Sequence, residues 1–204
     1  MNEHNHNIAA LIGARICHDL ISPIGAVANG LELMALSQGT AAGAEMSLVS
    51  QSADSANARI RMFRLAFGPG EDGTDIACDD LAGILHAVHA QHRIAVDWQA
   101  GGRVSRRIAQ CLLLAVLCAE TALPRGGGLA VRNCNAASDG TGWQIAARSA
   151  HLAADPELWS ALEGTPPVAL DPAQVQFAIL PQLLKEDGRR CTYEISADTL
   201  RLTL

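Results

Sequence analysis

Arg15-Ile16-Cys17-His18-Asp19-Leu20-Ile21-Ser22-Pro23 is the stretch on which the reading of this chain turns. Residues advance about 100° each around a helix, so spacing identifies the side chains that share a face. Ile12, Ile16, Leu20, Ile24, Val27, Leu31 and Met34 fall on one stripe, the expected core-facing side of a long amphipathic helix. Ala14, Arg15, His18, Ser22, Gly25 and Asn29 fall on the opposite side. That face carries an imidazole, a cation, a hydroxyl and an amide among residues too small to obstruct an approaching protein. A buried structural histidine would share the apolar stripe. His18 does not.

The neighbours sharpen this reading. Asp19 follows directly and is placed to orient one ring nitrogen, leaving the other free as a nucleophile. Arg15, one turn earlier, is expected to meet an anion arriving at the imidazole. Pro23 lacks an N–H, so the carbonyl of Asp19 is expected to lose its helical partner and the helix to loosen beyond the histidine. A proline inside a helix costs roughly 3 kcal/mol, which points to a use for the distortion. The plainer alternative is an exposed histidine on a bundle helix with an inconsequential kink, and the whole run of residues argues against it.

His18-Asp19-Leu20-x-x-Pro23 resembles the phosphoacceptor box of two-component histidine kinases, whose pattern is His-Glu/Asp-Leu-x-x-Pro. The longer stretch from Cys17 through Asn29-Gly30-Leu31-Glu32-Leu33 is similar to one branch of relatives, the ChpT-type histidine phosphotransferases of bacterial phosphorelays. Arg59-Ile-Arg-Met-Phe-Arg-Leu-Ala-Phe-Gly68 resembles the end of the second helix in that family, and Ala122-Leu123-Pro124-Arg125-Gly126-Gly127 resembles part of its second domain. The likeness runs nearly end to end, and the first box is its most specific part.

Bulk properties narrow the field. The chain has 204 residues, a formal charge of −6 and no long basic run, which argues against nucleic acid as a partner. Met1 to Asn7 is polar, without a signal-peptide layout, and no apolar stretch is expected to approach the ~20 residues that span a bilayer. Cys17, Cys78, Cys111, Cys118, Cys134 and Cys191 are scattered without a Cys-x-x-Cys pair. They read as free thiols of a cytoplasmic protein, with neither a disulfide framework nor a metal site.

Two parts are expected. Helices over about Ile8–Ser37 and Ala41–Phe67 form a hairpin in residues 1–68, with Gly39 ending the first helix and Met46, Val49, Ala53, Ala56, Ile60, Phe63 and Phe67 striping the second. Such a hairpin, about 40 Å long, cannot bury both stripes alone; a second copy would complete a four-helix bundle, so a homodimer is expected. Gly68-Pro69-Gly70-Glu71-Asp72-Gly73 is the expected boundary. Residues 75–204 alternate helices near Asp80–Gln91, Arg106–Leu123, Pro156–Leu162 and Pro172–Lys185 with strands near Ile94–Gln99, Leu129–Cys134, Trp143–Arg148, Cys191–Ile195 and Leu200–Leu204. That order predicts an α/β sandwich with helices layered on one face of a mixed sheet.

The second part resembles the ATP-binding domain of histidine kinases, which raises the alternative of an active kinase. Kinases of that class hold magnesium through an asparagine in the helix before the Gly-Gly turn, and the resemblance sets Cys118 there. A thiol is a poor ligand for a hard, oxygen-seeking ion. Ser149-Ala150-His151-Leu152 stands where an adenine-binding Asp-x-Gly-x-Gly is due, and Asp139-Gly140-Thr141-Gly142 reads as a hairpin turn between strands. The glycine-rich phosphate lid is missing, since Leu170-Asp171-Pro172-Ala173-Gln174-Val175 leads straight into the last helix. Loss of phosphate donors and metal ligands leaves ATP unheld.

His86, His89 and His92 raise a metal-dependent phosphohydrolase as a second alternative, but positions i and i+6 diverge around a helix and cannot converge on one ion. A pure interaction module with an unmodified His18 is the third. The family resemblance implies that His18 and Asp19 carry catalysis and that Arg15, Ser22, Gly25 and Asn29 form the receiver-docking face. It further implies a phosphotransferase that shuttles a phosphoryl group between receiver-domain aspartates, from a hybrid histidine kinase to response regulators. On this reading the chain binds no cofactor, and magnesium arrives with the receiver.

Overall fold

The computed structural model describes residues 3–36, 42–69, 73–134, 142–164 and 170–204. Helix α1 spans Glu3–Leu36 and α2 spans Ala42–Phe67. They run antiparallel, which brings Gly30 onto Val49 and Asp19 near Arg59. Gly30 is buried, and a Cβ there would stand 2.5 Å from Val49 Cγ2, so the missing side chain sets the close approach of the two helices. Pro23 is accommodated inside a continuous α1. The expected helix stop at Gly39, the breaker residues 70–72 and the Asp139-Gly140-Thr141 turn lie outside the described residues.

The rest is an α/β layer. A small antiparallel pair, β1 (Asp75–Ala77) with β3 (Arg103–Ser105), precedes a mixed sheet of β2 (Ile94–Gln99), β4 (Gly127–Asn133), β5 (Trp143–Arg148), β6 (Thr192–Ile195) and β7 (Thr199–Thr203). Its order is β2-β4-β5-β7-β6; β2 and β4 are parallel, and every other neighbouring pair is antiparallel. Alternation along the strands buries Leu129, Val131, Trp143, Ile145, Ala147, Leu200 and Leu202 in one core, with helices on that side. Those helices are α3 (Cys78–His89), α4 (Arg106–Thr121), α5 (Pro156–Ser160) and α6 (Gln176–Glu186). Helix α4 starts where Ser105 accepts a hydrogen bond from the Ile108 N–H, and Ala109 through Ala119 are all buried, as befits a central helix apolar all round.

The expected elements are present with shifted ends: α3 starts two residues early, at Cys78, whose N–H donates to the Gly102 carbonyl at 2.9 Å, and the last helix is preceded by a 3-10 turn at Pro172–Gln174. Strands β1 and β3, three residues each, were not expected; pieces this short carry no readable alternation.

The hairpin and the α/β layer share a core. Ala58, Met62, Phe63 and Ala66 of α2 join the cluster that contains α3 and α4. Gln110 Nε2 donates to the carbonyls of Ala66 (3.1 Å) and Gly68 (3.2 Å), closing the C-terminal end of α2.

Ile24 and Leu31 of the expected apolar stripe are 55% and 53% exposed, and Met46 and Ile60 of α2 are also exposed, because in one chain each helix buries only the side turned to its neighbour. Two expectations are corrected. Arg15 is not on the open face: its side chain is 12% exposed and folded back along α1. The expectation that no stretch nears membrane-spanning length fails for α1, since Asn7–Leu36 has a mean hydropathy of 1.3 and passes by length and composition. The cause is apolar residues on two sides of the helix, the α2-facing one and the row Cys17, Ile21, Ile24, Ala28 and Leu31.

Candidate functional site

Midway along α1, His18 projects into open space with its side chain 81% exposed. Its Nδ1 lies 2.9 Å from Asp19 Oδ1. An ionised carboxylate only accepts, so a neutral ring hydrogen-bonded to it carries its proton on Nδ1 and its lone pair on Nε2. The adjacent acid is thus placed to favour the tautomer that leaves Nε2 available.

Asp19 is itself held. Its side chain is 12% exposed, and its Oδ2 accepts from Arg15 Nε at 2.7 Å. Arg15 also donates to the carbonyl of Ala173, tying α1 to the turn before α6. The guanidinium of Arg59, on α2, stands 3.8 Å from the same Oδ2. Arg15 therefore acts here as a brace for Asp19, with its cation turned away from the imidazole's free edge.

The remaining expected residues lie along the helix at one-turn spacing from His18. Ser22 and Asn29 are exposed, and Gly25 is half-buried. A Cβ at Gly25 would meet nothing within 4 Å, so the space above it is open. His18, Ser22, Gly25 and Asn29 form one accessible strip, and Arg15 and Asp19 support it from the side.

The three later histidines are parted. His86 Nε2 lies 3.3 Å from the Val96 carbonyl, His89 Nε2 lies 2.9 Å from Glu120 Oε1, and His92 Nε2 lies 2.6 Å from Arg59 Nη2. Among the described residues no three His, Cys, Asp or Glu side chains are grouped to hold a metal ion. Partial burial, then the Arg59 and His89 charges, push the His92 pKa below the usual imidazole value. Sequence reasoning gave Arg59 no role at this site. The signal was present, since Arg59 opens the segment quoted above from the second helix.

In the α/β layer, the Cys118 thiol is fully buried and burial raises its pKa, so it presents no ligand to solvent. Gly126 and Gly127, both at positive φ, pack against Arg93 and Arg148, where a Cβ would come within 2.3 Å of a carbonyl oxygen. Their need is steric. A groove of about 810 Å³ lies between Ala161–Gly164, α6 and Gly188–Thr192, and holds none of the six site residues.

Residues 78–199 match the family model of the histidine phosphotransferase C-terminal domain. The chain belongs to the histidine phosphotransferase family. The match runs from α3 into β7, so His18 lies before it. This phosphotransferase-family chain is 40% identical over 129 residues to protein phosphotransferase ChpT of Brucella abortus (strain 2308). That alignment takes in 62% of the chain and 60% of the relative, less than two thirds of its length. The α1 region is reached by a structural likeness: a solved bacterial phosphotransferase superposes with a TM-score of 0.79 at 29% identity, covering 100% of this chain and 97% of that one.

Proposed function

We propose that the chain is a histidine phosphotransferase that moves phosphoryl groups between receiver-domain aspartates through His18. The observation that carries this reading is the exposed imidazole with Nδ1 engaged by a braced carboxylate and Nε2 free. In the transfer, the Nε2 lone pair attacks phosphorus in line, an N–P bond forms, and the P–O bond to the receiver aspartate breaks to release its carboxylate. The Nδ1 proton stays, so the phosphorylated ring is cationic and Asp19 offsets that charge. The return step to a second receiver reverses these bonds. Positioning and a good nucleophile suffice, and no nucleotide is required.

Residues 1–68 carry the phosphoacceptor and the pairing surface, and residues 75–204 supply a kinase-like layer that has lost its nucleotide. The fully buried Cys118 and the sterically committed glycines support that loss. The chain itself binds no cofactor, and magnesium comes with the receiver. Its partners are receivers of a hybrid histidine kinase and of response regulators, which dock across Ser22, Gly25 and Asn29. The working unit is a cytoplasmic homodimer whose four-helix bundle covers the exposed Ile21, Ile24, Leu31, Met46 and Ile60. The same pairing accounts for the apolar length of α1 with protein rather than lipid, since Arg15, His18 and Asp19 interrupt it.

Transfer from a radiolabelled phospho-receiver tests the function. Label passes to the wild-type protein, is acid-labile, and does not pass to His18→Ala. Gly25→Arg, whose side chain enters open space, blocks transfer while the far-ultraviolet spectrum is kept. Label on His18→Ala would refute the assignment, and normal transfer by Gly25→Arg would refute the docking face.

A further inference from the structure

The Arg59 guanidinium joins three parts of the molecule. It sits on α2 with its side chain 16% exposed. Nη1 faces Asp19 Oδ2 of α1 at 3.8 Å, and Nη2 lies 2.6 Å from His92 Nε2 in the segment after α3. Its Nε is buried without a hydrogen-bond partner among the described residues. Arginine only donates, so the 2.6 Å contact requires a neutral His92 with its lone pair on Nε2. The segment carrying His92 is firm: the His92 N–H donates to the His89 carbonyl, and the Arg93 carbonyl accepts from the Gly127 N–H, both at 2.9 Å. His89 is fixed in turn against Glu120 of α4 at 2.9 Å.

We propose that Arg59 and His92 are positioning residues for His18: His92 anchors Arg59, and Arg59, with Arg15, holds the Asp19 carboxylate where it selects the reactive tautomer. The inference rests on the phosphotransfer reading for its rate effect, and on geometry alone for the tautomer. The α/β layer, besides whatever contact it makes with receivers, thereby reaches the phosphoacceptor through His92. The charged and titratable groups facing His92 are Arg59 from α2, His89 from α3, Glu120 from α4 and Asp19 from α1. Protonating His92 sets a cation against Arg59 and removes its acceptor. A purely structural surface contact would not be felt at His18.

Nitrogen-15 imidazole shifts of His18 read the tautomer directly in the full-length unphosphorylated protein. Wild type shows a protonated Nδ1. Arg59→Gln and His92→Leu shift His18 towards a mixture of tautomers, Arg59→Lys restores part of the preference, and His92→Gln, which still offers an acceptor oxygen, restores most of it. In transfer from a phospho-receiver, Arg59→Gln lowers the rate at saturating receiver about tenfold, while the half-saturating concentration stays within about twofold. His92 lies on an exposed segment, so His92→Leu keeps the test decisive if Arg59→Gln fails to fold. An unchanged His18 tautomer in the folded variants overturns the proposal. A wild-type protein that accepts no phosphoryl group overturns the function instead, and the shifts still decide the positioning.

Discussion

At the scale of single residues, the proposed chemistry at His18 depends on which ring nitrogen carries the proton, and Asp19, 2.9 Å from Nδ1, is placed to bias that choice. Asp19→Asn keeps the volume and the α1 backbone but can present its amide N–H₂ to Nδ1, which favours the wrong tautomer. It should slow transfer about 10- to 100-fold while the helical fold is kept, as quenched-flow rates and a far-ultraviolet spectrum would show. Loss of stability with a normal rate would mean that Asp19 acts only in the fold. His18, Asp19 and the open strip at Ser22, Gly25 and Asn29 were legible because helical spacing and a specific box converge on them. Arg15 was misread, because spacing gives the angle of a side chain's root and says nothing of a neighbour that bends it back. The meeting of Arg59 with His92 stays hidden in sequence since it spans 33 positions and needs the tertiary fold.

At the scale of elements, α1 has two apolar sides and only one of them meets α2. Periodicity put Ile24 and Leu31 on one apolar stripe of a hairpin that cannot bury both stripes alone, and in one chain both stand exposed. The surplus is what a pairing helix requires. Burying a side chain such as Leu31 is worth roughly 1.5–3 kcal/mol, and two-fold symmetry counts each substitution twice. Leu31→Asp should therefore halve the mass seen by light scattering while the monomer keeps its helical spectrum, since the residue supports little within its own chain. A dimer that survives Leu31→Asp would place the pairing surface elsewhere.

At the scale of the whole molecule, the α/β layer is joined to the helical hairpin that carries His18 through a shared core, with α2 entering the cluster of α3 and α4. The order of helices and strands revealed the layered sheet, because long elements with strong alternation or helical period dominate it. The small β1–β3 pair and the shared core did not show, since neither leaves a periodic trace in sequence. Cys118 of α4, fully buried at the position that the resemblance gives to a metal-binding asparagine, supports the proposal of a nucleotide-free layer. Titration calorimetry with magnesium and a non-hydrolysable ATP analogue should give no saturable heat at millimolar ligand. Saturable binding would restore the kinase reading.

The central claim is that a phosphoryl group rests on Nε2 of His18, and phosphorus–nitrogen correlated NMR of the protein charged by a phospho-receiver tests it most directly. The account predicts one phosphohistidine, at His18, with phosphorus bonded to Nε2 and a proton on Nδ1. Phosphorus on Nδ1, on another histidine, or on no histidine at all would contradict it.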